Sequence, residues 1–130
     1  MTNERHELAR KIRNLMRGSR SAALSTALTT AEAWPYGSMV TVSIDQDAAP
    51  LLLMSTLSDH TRNLTVDNRG ALLFSAPNRY ANPQRNPRVT VMGQIRKTNK
   101  PNHVNRFLAM HPEAAIYSGF GDFDFYRMNI

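Results

Sequence analysis

An apolar run, Leu51-Leu52-Leu53-Met54, gives way within five residues to a polar turn and then to a helical pattern starting at His60. The run has the length and composition of a buried strand. The turn that follows it, Ser55-Thr56-Leu57-Ser58-Asp59, offers Ser58 or Asp59 as a cap, because a side-chain oxygen there accepts from the free amides of the first turn. Two hydroxyls (Ser58, Thr61), the His60 imidazole and the Arg62 guanidinium fall within a few residues of that helix start. A helix N-terminus carries partial positive charge and a guanidinium adds a permanently charged fork, so the stretch suits a phosphate. The plain alternative is an ordinary strand-to-helix turn with a surface arginine, and the stretch alone does not choose between the two.

The flanking segments supply the architecture. Residues 4–17 form an amphipathic helix, with Leu8, Ile12, Leu15 and Met16 on one face and Gly18 as its stop. Strands are expected at 21–27, 38–44, 51–54, 70–75, 88–96 and 123–128, the clearest being the alternation RVTVMGQIR from Arg88 to Arg96. Within it Gly93 marks a bulge or a close backbone approach. Pro35-Tyr36-Gly37 reads as a break before the second strand, Asp45–Pro50 as a hairpin turn, and residues 77–87 as an irregular loop. Short helices are expected at 60–67, from Pro101, and from Pro112. No strand–helix–strand alternation is present, which argues against a doubly wound sheet. The pattern is that of one mainly β (α+β) domain over residues 1–130, a small antiparallel barrel with peripheral helices.

Composition narrows the function classes. There are no cysteines, so thiolate metal sites, disulfides and cysteine catalysis are excluded. The formal charge of +6 favours anionic partners. The basic residues are scattered rather than gathered into a stripe interleaved with aromatics, so a nucleic-acid partner is not expected. No apolar run is long enough to span a membrane, and the charged MTNERHELARK start is unlike a signal peptide, so a cytoplasmic protein is expected. The four histidines (His6, His60, His103, His111) lack metal-site spacing. No nucleophile with a partnered base, Walker lysine or GxGxxG is found.

The order AALST (22–26), WPYGSMV (34–40), PLLLMSTLSDHTRNL (50–64), RGALLF (69–74) and NPRVTVMGQI (86–95) resembles the FMN-binding split-barrel proteins. It is most similar to the pyridoxamine 5′-phosphate oxidase-related branch that includes heme-utilisation proteins, and FLAMHPEAAIY and GDFDFYRM extend the likeness almost to the end. The resemblance implies a homodimer of six-stranded antiparallel split barrels holding FMN at the interface, as in a flavin-dependent oxidoreductase of unknown substrate. Carried over, Ser38, Met39 and Val40 line the flavin ring through main-chain contacts, and Ser55, Thr56 and Leu57 continue its wall. Ser58, His60, Thr61, Arg62 and Asn63 form the phosphate corner, and Arg88 reaches across the interface. Two departures temper this. Asp59-His60 stands where the oxidases have an Arg–Lys pair, and the segment that binds pyridoxal phosphate there is absent, so vitamin B6 chemistry is not expected. Relatives in the heme branch continue past the closing strand, which sets heme, with His60 or His111 as ligand, second to FMN. A cofactor-free interaction module is the third expectation.

Overall fold

A computed structural model describes residues 2–76 and 81–130, with the side chain of Thr2 left aside. Among these residues six strands close in the order β1-β2-β3-β6-β5-β4: β1 (Ser21–Ala27), β2 (Pro35–Ile44), β3 (Pro50–Ser55), β4 (Arg69–Ser75), β5 (Arg88–Lys97) and β6 (Phe123–Asn129). Each pairs antiparallel with two neighbours. The period-2 patterning fixes which face is inside. Leu24, Val40, Val42, Leu52, Leu72, Phe74, Ile95 and Met128 meet in one core. Helix α1 (Thr2–Arg17) lays Ile12, Leu15 and Met16 against that core and stops at Gly18, whose N–H bonds Asn14 O at 3.0 Å.

Helix α2 (Asp59–Val66) follows β3, and its Leu64 also enters the core. Helix α3 (Pro101–Met110) lies outside the barrel against β2 and β3. Its Phe107 packs with Leu51, Leu53 and Ala114, and its attachment to β2 is polar. Arg106 Nε donates to Ile44 O at 3.1 Å and Ser43 Oγ donates to Arg106 O at 3.3 Å. His111, just past the helix, is buried with Nε2 2.6 Å from Val42 O. A 3₁₀ turn and the short α4 (Ala115–Ser118) lead to β6.

Two local expectations are corrected. Pro35-Tyr36-Gly37 is not a break: β2 begins at Pro35, and these residues pair with Ala27, Thr26 and Ser25. Proline is tolerated as the first residue of a strand, where its missing N–H leaves no ladder position empty. Neither Ser58 nor Asp59 caps α2 through its side chain. Ser58 holds the N-cap position without a side-chain bond, and the Asp59 carboxylate goes to Arg62 instead. Gly93 does mark a close approach, since a Cβ there would lie 2.2 Å from Asn129 O. Of the expected 77–87 loop, residues 77–80 lie outside the described residues; the remainder holds a 3₁₀ turn at Pro83–Arg85.

Candidate functional site

The barrel is split along β2. This strand pairs with β1 from Pro35 to Thr41, whereas its bonding to β3 is confined to Val42, Ser43 and Ile44. On its other edge β3 pairs with β6 all the way from Leu51 to Ser55, so it is only the edge facing β2 that is left open beyond Leu52. Among the described residues the second edge of β2 from Pro35 to Thr41 therefore has no strand neighbour, and its main-chain groups are open to another partner. Side chains alternate along this edge: Ser38 and Val40 turn inward and Met39 is 69% exposed. The Ser38 hydroxyl oxygen is buried and has no hydrogen-bond partner among the described residues. Leaving such a group unsatisfied costs about 1–3 kcal/mol, so it is a place where a bound molecule or water is expected.

Ser55 organises the start of α2. Its hydroxyl accepts from Leu57 N at 3.1 Å, and its carbonyl accepts from Ser58 N at 3.2 Å and from the Thr61 hydroxyl at 2.6 Å. Thr56 N donates to Asp122 O at 2.7 Å, which draws the loop before β6 alongside. Arg62 is exposed; one arm of its fork pairs with Asp59 and the other donates to Leu57 O at 3.1 Å. The Tyr36 hydroxyl lies 3.5 Å from the same Asp59 carboxylate, so the open edge of β2 and the first turn of α2 meet here. His60 is half-buried, and desolvation lowers its pKa below the usual histidine value although the nearby Asp59 charge pulls the other way.

Ser55, Thr56, Leu57, Ser58, His60 and Arg62 are thus gathered at one end of the barrel beside the Ser38 edge. Thr61 and Asn63, expected at the same corner, are buried and engaged in the fold. Asn63 Nδ2 donates to Thr26 Oγ1 at 3.0 Å and its Oδ1 accepts from Thr29 N at 3.2 Å. Arg88 pairs with Ser75, at the opposite end of β4 from α2, and donates to Gln84 O at 2.6 Å. Within one copy it does not join the corner. His111 is committed to Val42 O and stacked 4.8 Å from Phe107, so it is no free ligand. Asp59 and Tyr36 were missed as site residues. The signal for Tyr36 was the alternation Tyr36/Ser38/Val40, hidden behind Pro35 and Gly37. Among the described residues no three histidines or carboxylates cluster for a metal ion, and no helix is long and apolar enough to cross a membrane.

A closed antiparallel barrel opened along one strand, with a helix start at the opening, defines the split-barrel class. The chain belongs to the CREG β-barrel family, matched over residues 3–130, within the FMN-binding, pyridoxamine-phosphate-oxidase-like superfamily. It is 32% identical over 121 residues to the chloroplastic non-canonical heme oxygenase HOZ of Arabidopsis thaliana, covering 91% of this chain and 36% of that protein. The chain thus spans about a third of that relative's length. A structure of unknown function from Agrobacterium tumefaciens superposes with a TM-score of 0.84 at 27% identity, over 95% of this chain and 53% of the other. A heme binding protein from Mycobacterium smegmatis does so with 0.81 at 26% identity, over 91% and 49%.

Proposed function

We propose that this chain is a cofactor-binding split barrel that holds heme in the cleft between the open β2 edge and the start of α2. The observation that carries the reading is the donor set at that cleft. His60 offers a half-buried imidazole whose desolvation favours the neutral form, and neutral imidazole is the form that ligates iron. Arg62 offers a cation for a propionate, and exposed Leu57 and Met39 offer apolar cover. His111 is ruled out as the ligand by its bond to Val42 O. Likeness to HOZ and to the mycobacterial heme binding protein supports heme over the order expected from sequence. The redox chemistry is the cofactor's; the chain positions it and excludes water.

A second reading, FMN in the same cleft, is favoured by one observation. The orphaned Ser38 hydroxyl and the unpaired main chain of residues 35–41 provide edge hydrogen bonds that a flavin ring uses and a porphyrin does not. In this reading Ser38, Met39 and Val40 lie along the ring, and Ser58, His60 and Arg62 receive the phosphate. A flavin-dependent oxidoreductase follows from it.

Either cofactor is completed by a second copy of the chain, and the site is cytoplasmic in this proposal. The outer surface of β2-β1-β4-β5 carries Met39, Leu73 and Met92 exposed, with Ala23 and Ala71 between them in the ladder. A groove of about 580 Å³ on this face includes Ala27, Pro35, Ala71 and Met92. A self-complementary surface of this kind suits a two-fold dimer. Arg88 of one copy then serves the cleft of the other.

The deciding experiment titrates the purified protein separately with hemin and with FMN. A Soret band that disappears in His60→Ala establishes the first reading; retained yellow FMN without a Soret band establishes the second. Binding of neither, with dimerisation intact, overturns both in favour of an interaction module.

A further inference from the structure

A second concentration of charge lies at the other end of β6. Arg127 is four residues from Phe123 along this strand, about 13 Å of extended chain from the cofactor cleft. It forms the floor of a pocket of about 490 Å³. That floor is internally satisfied. Arg127 Nη1 donates to Asp45 Oδ2 at 2.8 Å and its other arm pairs with Asp47. Asp45 Oδ2 is also 3.4 Å from His103 Nε2, and His103 Nδ1 is 2.6 Å from the Thr98 hydroxyl. The charge of Arg127 is thus met by two carboxylates, Asp45 and Asp47, which line the pocket beside it and are both turned onto this one guanidinium.

The rim is not satisfied. Arg96 stands directly opposite Arg127 in the β5–β6 ladder, and like charges in that position are destabilising. With Asp45 and Asp47 on Arg127, Arg96 finds among the described residues only the neutral Gln94 Oε1, at 2.7 Å. The ammonium of Lys100, at the junction with α3, has no partner among the described residues, and Lys97 is paired with Asp124 at 3.2 Å. A guanidinium fork and an ammonium, neither neutralised, therefore border one concave space.

We infer that this pocket binds a small phosphate-bearing molecule, its phosphate bridging Arg96 and Lys100. A fork beside a compact point charge is the pairing that phosphate oxygens favour. The volume lies in the range of small-molecule sites, and two free cations are too few for the phosphate track of a nucleic acid. The site is separate from the cofactor cleft and does not rest on either cofactor reading.

The test is calorimetric titration of the full chain with pyrophosphate and with AMP, on the unaltered protein, on Arg96→Gln/Lys100→Gln and on Arg62→Gln. The expected result is saturable binding that weakens as salt rises and falls by about tenfold or more in the double variant, as loss of charge-assisted bonds dictates. Arg62→Gln should leave it in place. Tighter binding of AMP assigns an organic phosphate ester; tighter binding of pyrophosphate assigns an inorganic one. Both altered side chains are exposed, so an unchanged far-ultraviolet spectrum is expected to show the double variant folded. No saturable binding of either probe, equal binding by the double variant, or binding lost only in Arg62→Gln would each overturn the assignment.

Discussion

The buried carboxamide of Asn63 donates to Thr26 Oγ1 at 3.0 Å, and through its oxygen it also receives the amide of Thr29, so one side chain ties α2 to β1 and to the loop beyond it. This is a structural staple with both its donor and its acceptor in use. Asn63→Ala removes the two bonds and leaves the buried Thr26 hydroxyl without its donor, while the Thr29 amide, on an exposed residue, can turn to water. The expected loss is about 1–3 kcal/mol, the cost of one orphaned buried group. Urea unfolding followed by circular dichroism reads it. A loss under about 0.5 kcal/mol would mean the carboxamide is free for a ligand after all.

Two glycines in the barrel make a matched pair. At Gly93 an added Cβ would meet Asn129 O at 2.2 Å and Met128 Cγ at 2.8 Å, so β5 and β6 approach as they do only because no side chain intervenes. At Gly37 nothing lies within 4 Å of the same position. Neither has a positive φ, so the contrast is one of space alone. Gly93→Ala is expected to cost about 2 kcal/mol or more through overpacking, whereas Gly37→Ala should stay within about 0.5. Thermal melts of the two variants side by side settle the contrast.

Much of the barrel was legible because strand periodicity and short turns leave little choice of register: Arg88–Lys97 alternates as the sequence does, and the Asp45–Ala49 turn closes with Asp45 N on Ala49 O at 2.9 Å. The start of β2 was not, because Pro35 and Gly37 have the same composition in a strand beginning as in a loop. The cleft was half legible. A polar first turn announces a helix start, but Thr61 and Asn63 look like ligand donors until α2 is docked on β1, and docking is a tertiary fact. The split itself depends on β2 outlasting its pairing with β3, a register that no local pattern encodes.

His60 gives the protein a pH dependence of known sign. Its folded-state pKa is lowered, mainly by desolvation, so between its ordinary value and the lowered one the unfolded chain binds a proton that the folded chain refuses. Stability is therefore full above the ordinary histidine value of 6.5 and falls as pH drops below it, until the folded pKa is passed. The carboxylates lowered by their partners (Asp47 by Arg127, Asp67 by Arg69) act further down, below the usual carboxylate range. Denaturation midpoints at pH 7 and pH 5.5 should differ less in His60→Gln than in the unaltered protein. An identical difference in both would remove His60 from the account.

Arg62 and Asp59 set opposite expectations for cofactor affinity. Their ion pair is exposed on both sides, so it contributes at most about 1 kcal/mol to folding, and neither substitution should unfold the chain. In the absence of a cofactor, Asp59 occupies the guanidinium fork that an incoming propionate or phosphate needs, and its own negative charge repels that anion. Arg62→Gln is expected to weaken hemin or FMN binding by about five- to tenfold, the worth of one charge-assisted bond in a partly exposed site. Asp59→Asn frees the fork and is expected to tighten binding by about two- to fivefold, the inverse of a surface pair's contribution. The double variant should match Arg62→Gln alone, because Asp59 acts on the anion chiefly through that arginine. Riboflavin, which lacks the phosphate, should be nearly indifferent to both changes, and titrating it beside FMN separates the charge effect from general damage to the cleft. If Arg62→Gln leaves every affinity unmoved while the cofactor still binds, the anion is held elsewhere and the start of α2 is only a turn.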